Sequence, residues 1–148
     1  MLRGRFGDTS RRPFLEGKIY LPRLNIESNI SFLVDTGADR TILMPDDTIR
    51  SGIDVSKLHG CEPVGGVGGT LTTFHEHALL VFSESKKNLY LYKLSVLIAP
   101  LGEPLAKTPS LLGRDILDRW RMTYSPATNY LSFKVVSADV ILPLSGNP

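Results

Sequence analysis

The sequence predicts an all-β fold, a barrel or a sandwich, and three observations carry that expectation. Apolar residues alternate with polar ones in stretches such as 71–82 and 130–135, the period of a half-buried strand. Turn chemistry recurs at short intervals, at Asn25-Ile26-Glu27-Ser28-Asn29, Ser83-Glu84-Ser85-Lys86-Lys87-Asn88 and Ser125-Pro126-Ala127-Thr128-Asn129, as expected between strands. The chain carries no long amphipathic helix and no internal repeat.

The elements follow in order. Residues 1–16 are polar and basic, with Arg3, Arg5, Arg11 and Arg12, and are expected to form a solvated, partly disordered arm. Strand sequence begins at Lys18-Ile19-Tyr20-Leu21, where Pro22 argues for an edge or a bulge. Ile30 to Val34 completes a hairpin that delivers Asp35 to the end of a buried strand. Thr41-Ile42-Leu43-Met44 is a second short apolar run. Pro45-Asp46-Asp47 with Gly52 beyond them suggests one or two helical turns, with proline and acids at the start and glycine past the end. Five of the thirteen glycines fall within residues 60–69. Two strands follow, over 71–82 and 89–99, and then a loop with Pro100, Pro104 and Pro109. Ser110-Leu111-Leu112-Gly113 is another apolar run ending in glycine. Ile116, Leu117 and Trp120 fit one face of a short helix, with Trp120 as core beneath it. A final hairpin pairs 122–124 with 130–135, and Leu131, Phe133 and Val135 share a face. Domain boundaries are expected at 1–16 for the arm, 17–136 for a single folded domain and 137–148 for a tail with an extra strand around Val140-Ile141-Leu142.

Composition narrows the function. The chain has 148 residues, 42% apolar and 22% charged, with a net charge of +2. That is one ordinary globular domain, and the charge does not suggest a nucleic-acid binder. There is no apolar segment of the ~20 residues that span a bilayer and no apolar region of a signal peptide at the start. Cys61 is the only cysteine, so no disulfide forms within the chain, and it is expected to be a small buried or semi-buried residue. A cytoplasmic location is the default expectation. The glycine cluster does not have the Gly-x-Gly-x-x-Gly spacing of a dinucleotide site, and Gly102 to Thr108 lacks the glycine before lysine that a P-loop needs. His75 and His77 share a strand face and with His59 or Cys61 could make a metal site, but exposed strand histidines are the simpler reading. No metal and no cofactor are expected.

The chemistry-bearing feature is Phe32-Leu33-Val34-Asp35-Thr36-Gly37-Ala38. An apolar strand ending in an acid places a carboxylate where ionisation is costly, and Gly37 turns the backbone sharply. A lone Asp-Thr-Gly arises by chance in roughly a few per cent of chains this long. Two further blocks accompany it: Pro63-Val64-Gly65-Gly66-Val67-Gly68-Gly69, and Thr108-Pro109-Ser110-Leu111-Leu112-Gly113-Arg114-Asp115. In that order and spacing, from about Lys18 to Phe133, the chain resembles the retropepsins, the single-domain aspartic proteases of retroviruses and their bacterial and eukaryotic relatives.

The resemblance implies a closed β-barrel with one short helix after Gly113 and a flap hairpin over the active site. It implies an aspartic endopeptidase whose Asp35, Thr36 and Gly37 form the catalytic loop. Metal-free peptide hydrolysis needs one group to activate water and another to protonate the carbonyl oxygen, and two carboxylates sharing a proton do both. With one Asp-Thr-Gly in the chain, the resemblance implies a homodimer with one Asp35 from each subunit. It further implies that Ala38, Asp39, Ile42, Val64, Gly65, Gly66, Val67 and Leu111 meet a peptide substrate, with apolar subsites. Asp39 and Arg114 would form a buried bracing pair. Ala38 stands where some aspartic proteases carry a hydroxyl that bonds the carboxylates, so a milder pH optimum than that of pepsin-like enzymes is expected. Arg40 departs from the acid or small residue of the viral enzymes, 48–61 is longer, and about 15 residues follow Phe133 where the viral dimer interleaves its termini. The alternative is a retropepsin-fold dimer that binds peptides and cleaves poorly. The intact Asp35-Thr36-Gly37 favours the enzyme.

Overall fold

The computed structural model describes residues 1–7, 9–58, 60–66, 69–102 and 105–144, with the backbone alone for 62–66 and 69–71. Twelve strands and two short helices follow one another in the described chain: β1 (Leu2–Arg3), β2 (Arg5–Gly7), β3 (Arg12–Leu21), β4 (Ile26–Val34), β5 (Ile42–Leu43), α1 (Pro45–Arg50), β6 (Cys61–Gly66), β7 (Gly69–Glu84), β8 (Asn88–Ile98), β9 (Leu111–Leu112), α2 (Arg114–Leu117), β10 (Trp120–Ser125), β11 (Tyr130–Val135) and β12 (Val140–Pro143).

The main sheet closes on itself. β3 lies antiparallel between β4 and β7, β7 pairs with β8, β8 runs parallel to β5, β5 meets β9, and β9 returns parallel to β4. Closure leaves no open edge around the ring. Side chains alternate in and out, so Leu15, Ile19, Leu21, Ile30, Phe32, Leu80, Phe82 and Tyr92 fill the interior. A second, three-stranded sheet, in the order β1-β11-β10, covers one end. Trp120 joins the two sheets: its indole N–H donates to the Tyr92 hydroxyl at 2.7 Å, and it meets Phe82 edge-on at 4.9 Å and Phe133 at 5.3 Å, geometries that favour aromatic pairs.

The structure corrects several expectations. Residues 1–16 are not a solvated arm: they contribute β1, β2 and the first half of β3, with Leu2, Phe14 and Leu15 buried. The arginines that made the segment look like an arm lie over rings instead, Arg3 over Tyr130 at 4.6 Å and Arg5 over Phe14 at 5.1 Å, where the cation stays wet while its stem packs. β3 is no edge strand, because Pro22 lies just past its end and opens a single 3₁₀ turn over Pro22–Leu24. The chain reverses there, with Asn25 at φ 51°, so β4 begins at Ile26 and the predicted Asn25–Asn29 turn is mostly strand. Trp120 opens β10 and does not belong to the helix, which ends at Leu117. Cys61 is exposed. The helical turns expected after Pro45 are present as α1, which ends at Arg50, with Asp46 and Asp47 in its first turn. No helix among the described residues is long and apolar enough to cross a membrane.

Candidate active site

β4 carries Phe32, Leu33 and Val34 into the barrel and stops at Asp35. The reason for the stop is a crossing of strands. Leu33 N–H donates to Ser110 O at 2.8 Å and Asp35 N–H to Leu112 O at 3.0 Å, so β9 accompanies β4 in parallel up to the acid. The 35–41 loop then turns across the end of β9, and Arg114 N–H donates back to Ala38 O at 2.8 Å. Gly113 makes the crossing possible. A Cβ at that position would stand 2.5 Å from the carbonyl carbon of Arg40 and 2.6 Å from its oxygen, closer than van der Waals contact allows.

The turn is held by its own acid. Gly37 N–H donates to Asp35 Oδ1 at 2.9 Å, and Ala38 N–H donates to Asp35 O at 3.1 Å. Asp35 is half-buried, beside the exposed Thr36 and Gly37. A charge-assisted bond to a backbone amide orients the carboxylate.

Beneath the loop lies a network that the sequence reading did not pick out. Asp115 accepts from Thr41 N–H at 2.9 Å and from Thr41 Oγ1–H at 2.7 Å, while Thr41 Oγ1 accepts from Gly113 N–H at 3.1 Å. Met44 N–H donates to Ser110 Oγ at 2.9 Å, and Ser110 Oγ–H donates to Asp47 at 2.6 Å. Thr41 and Ser110 are buried, so each bond satisfies a group that would otherwise be costly. The only sequence signal was a hydroxyl residue set next to each apolar run, and nothing in it pairs Thr41 with Asp115, 74 residues away.

Arg114 pairs with Asp39, as the resemblance implied, and its other guanidinium nitrogen donates to Thr36 O at 3.2 Å. The pair is not buried, however: the side chains are 43% and 84% exposed for Arg114 and Asp39.

Ile42 and Leu111 are opposed across β5 and β9. With Met44, Leu97 and Ala99 they form a small apolar cluster separate from the main core, directly behind the loop. Val64, Gly65 and Gly66 lie on β6, which pairs antiparallel with β7 up to Gly66 opposite Gly69. Val67 lies outside the described residues. Arg40, which departs from the viral pattern, sends its guanidinium to Ser95 O on β8 at 3.1 Å. His75 is half-buried and His77 exposed on β7, and no cluster of three metal-ligating side chains occurs among the described residues.

Asp35 thus stands at a strand end with its Oδ1 accepting from Gly37 N–H, and the family model described as "Aspartyl protease" matches residues 23–116. The chain belongs to the aspartyl protease family. Among solved structures, the chain is similar to a retropepsin-like aspartic protease from Rickettsia conorii, with 19% identity, a TM-score of 0.58 and coverage of 90% of this chain and 88% of that one. It is also similar to the EIAV protease complexed with the inhibitor HBY-793, with 23% identity, a TM-score of 0.48 and coverage of 76% of this chain and 90% of that one. No curated protein matches the chain. The fold of this family member is the all-β, retropepsin-like barrel.

Proposed function

We propose that the protein is an aspartic endopeptidase in which Asp35 of two identical copies activates one water. The observation that carries this is the half-buried Asp35, with one oxygen tied to Gly37 N–H at 2.9 Å and the chain holding no second Asp-Thr-Gly. One carboxylate takes a proton from water as the oxygen attacks the peptide carbonyl. The other, protonated, gives its proton to the carbonyl oxygen. Collapse of the tetrahedral adduct breaks the C–N bond as a proton passes to the leaving nitrogen. Like charges this close do not both ionise, which is what keeps one proton on the pair.

The remaining roles follow from placement. Gly37 offers backbone to an extended peptide, Ile42 and Leu111 wall apolar subsites, and Ala38 and Asp39 flank the peptide. The β6–β7 hairpin, which carries Val64, Gly65 and Gly66, closes over the substrate and excludes water.

Cleavage of a peptide library, measured from pH 3 to 8 with and without a statine-type inhibitor, tests the proposal. The wild type is expected to cleave next to apolar residues, with inhibition by statine, and Asp35→Asn to be inactive but folded. Because Ala38 supplies no hydroxyl to the carboxylates, the rate maximum is expected well above pH 2. Equal cleavage by Asp35→Asn would remove the acid from the mechanism, and a folded dimer that binds peptides without cutting them would make the protein a scaffold.

A further inference from the structure

β10 is a strand with one side unused. In the sheet order β1-β11-β10 it pairs with β11 from Trp120↔Val135 to Ser125↔Tyr130 and, among the described residues, with nothing on its other side. Exposed edges of this length are usually blunted. The other free edges here are: β1 is two residues long, β2 three, β6 contains Pro63 and β12 ends in Pro143. β10 is six residues without proline or glycine.

Its side chains make the same point. Cross-strand partners share a face, so Met122 stands beside Phe133 and Tyr124 beside Leu131, on the face that buries Leu2. Phe133 and Leu131 are fully covered, yet Met122 and Tyr124 are 38% and 52% exposed. The apolar face of the sheet therefore continues beyond what this chain covers. Tyr124 touches only the edge of that cover, meeting Phe6 edge-on at 5.4 Å.

We infer that the free edge of β10 is the seam between two copies, pairing antiparallel with its own symmetry mate to make a continuous six-stranded sheet, β1-β11-β10 followed by its copy in reverse. This rests on the two-copy reading of Asp35, which leaves each chain with half a site. Antiparallel neighbours in one sheet are related by a two-fold normal to it, so both apolar faces, and both barrels above them, fall on the same side. β10 is also rigidly tied to the catalytic loop: it begins three residues after α2, whose Arg114 holds Thr36 O and Asp39. A two-fold at Met122 or Thr123 sets Arg121 against Thr123 or Ser125 of the mate, never against its own copy. The seam is thus a hairpin folded within each chain, where the resemblance led one to look for interleaved termini.

Two variants test the seam, with sedimentation and Asp35-dependent cleavage as readouts. Met122→Lys with Tyr124→Lys puts like charges at the seam while changing only exposed side chains. It is expected to raise the dimer dissociation constant by roughly tenfold or more, to lower cleavage in parallel, and to leave the circular dichroism of the monomer unchanged. Thr123→Cys in a Cys61→Ser background places a thiol near the two-fold, and mild oxidation is expected to give a disulfide-linked dimer that keeps activity at dilutions where the wild type loses it. A wild-type dimer that persists in the double variant and fails to cross-link overturns the seam and leaves the two-copy site standing. A wild type monomeric at every concentration yet active overturns both, and one monomeric and inactive also removes the seam.

Discussion

A methyl group at residue 113 has no room. The Cβ of Gly113→Ala would meet Arg40 backbone at 2.5–2.9 Å, and backbone cannot step aside as a side-chain tip can. The loop must shift, and with it the Thr41 Oγ1 bond from Gly113 N–H. A cost of about 3 kcal/mol is expected, at the upper end for overpacking, together with loss of cleavage. Urea denaturation checks the first, and an unchanged midpoint would show that the loop yields freely. Arg114 is the opposite case. Its ion pair with Asp39 is solvent-exposed, so the charge itself adds little stability. What it supplies is a fork that spans Asp39 and Thr36 O, which lysine lacks. Arg114→Lys is expected to move stability by less than about 1 kcal/mol while lowering kcat several-fold. A variant with native kcat would show that Arg114 does not position the loop.

At the scale of elements, what could be read from the sequence was what is local. The strand into Asp35 and the run into Gly113 announce themselves because each is a short apolar stretch ended by residues with a clear backbone role. The N-terminal strands did not, because their arginines read as solvated until the rings of Tyr130 and Phe14 are seen beneath them. Trp120 read as helical because Ile116 and Trp120 have i, i+4 spacing, which a helix running on for one more turn would share. The free edge of β10 could not be read at all, since pairing is a property of the whole sheet. The tail is another such case. Asp139 accepts from Lys93 N–H at 2.7 Å and from Arg119 Nη1 at 2.9 Å, tying the entry to β12 onto β8 and the start of β10. The Lys93 amide holds the Asp139 carboxyl below the usual carboxylate range, and Arg119 adds to this against the opposing pull of desolvation. A depressed folded value means that the stabilisation is complete above the unfolded pKa of about 4 and fades as pH falls through the folded value. Asp139→Asn is therefore expected to lower the Tm near pH 7 and to converge on the wild type in strong acid. Parallel Tm curves at all pH values would remove the charge from the argument.

At the scale of the whole molecule, the proposed pairing of Asp35 across two chains is tested best by mixing subunits. If Asp35 works only as a pair, cleavage counts homodimers, and activity per subunit rises with concentration until the dimer is saturated. Mixing makes the test sharper. Asp35→Asn keeps the β10 edge and the barrel, so its subunits should associate with wild type as readily as wild type does with itself. When the two exchange freely, the share of wild-type subunits that find a wild-type partner equals the wild-type fraction. A ninefold excess of the variant then leaves about one tenth of the wild-type activity, by mass action alone. The same excess of Asp35→Asn carrying Met122→Lys and Tyr124→Lys should inhibit far less, because a subunit that cannot pair cannot poison. Activity that ignores both mixtures means that each chain cleaves alone, and the shared Asp35 pair would have to be given up.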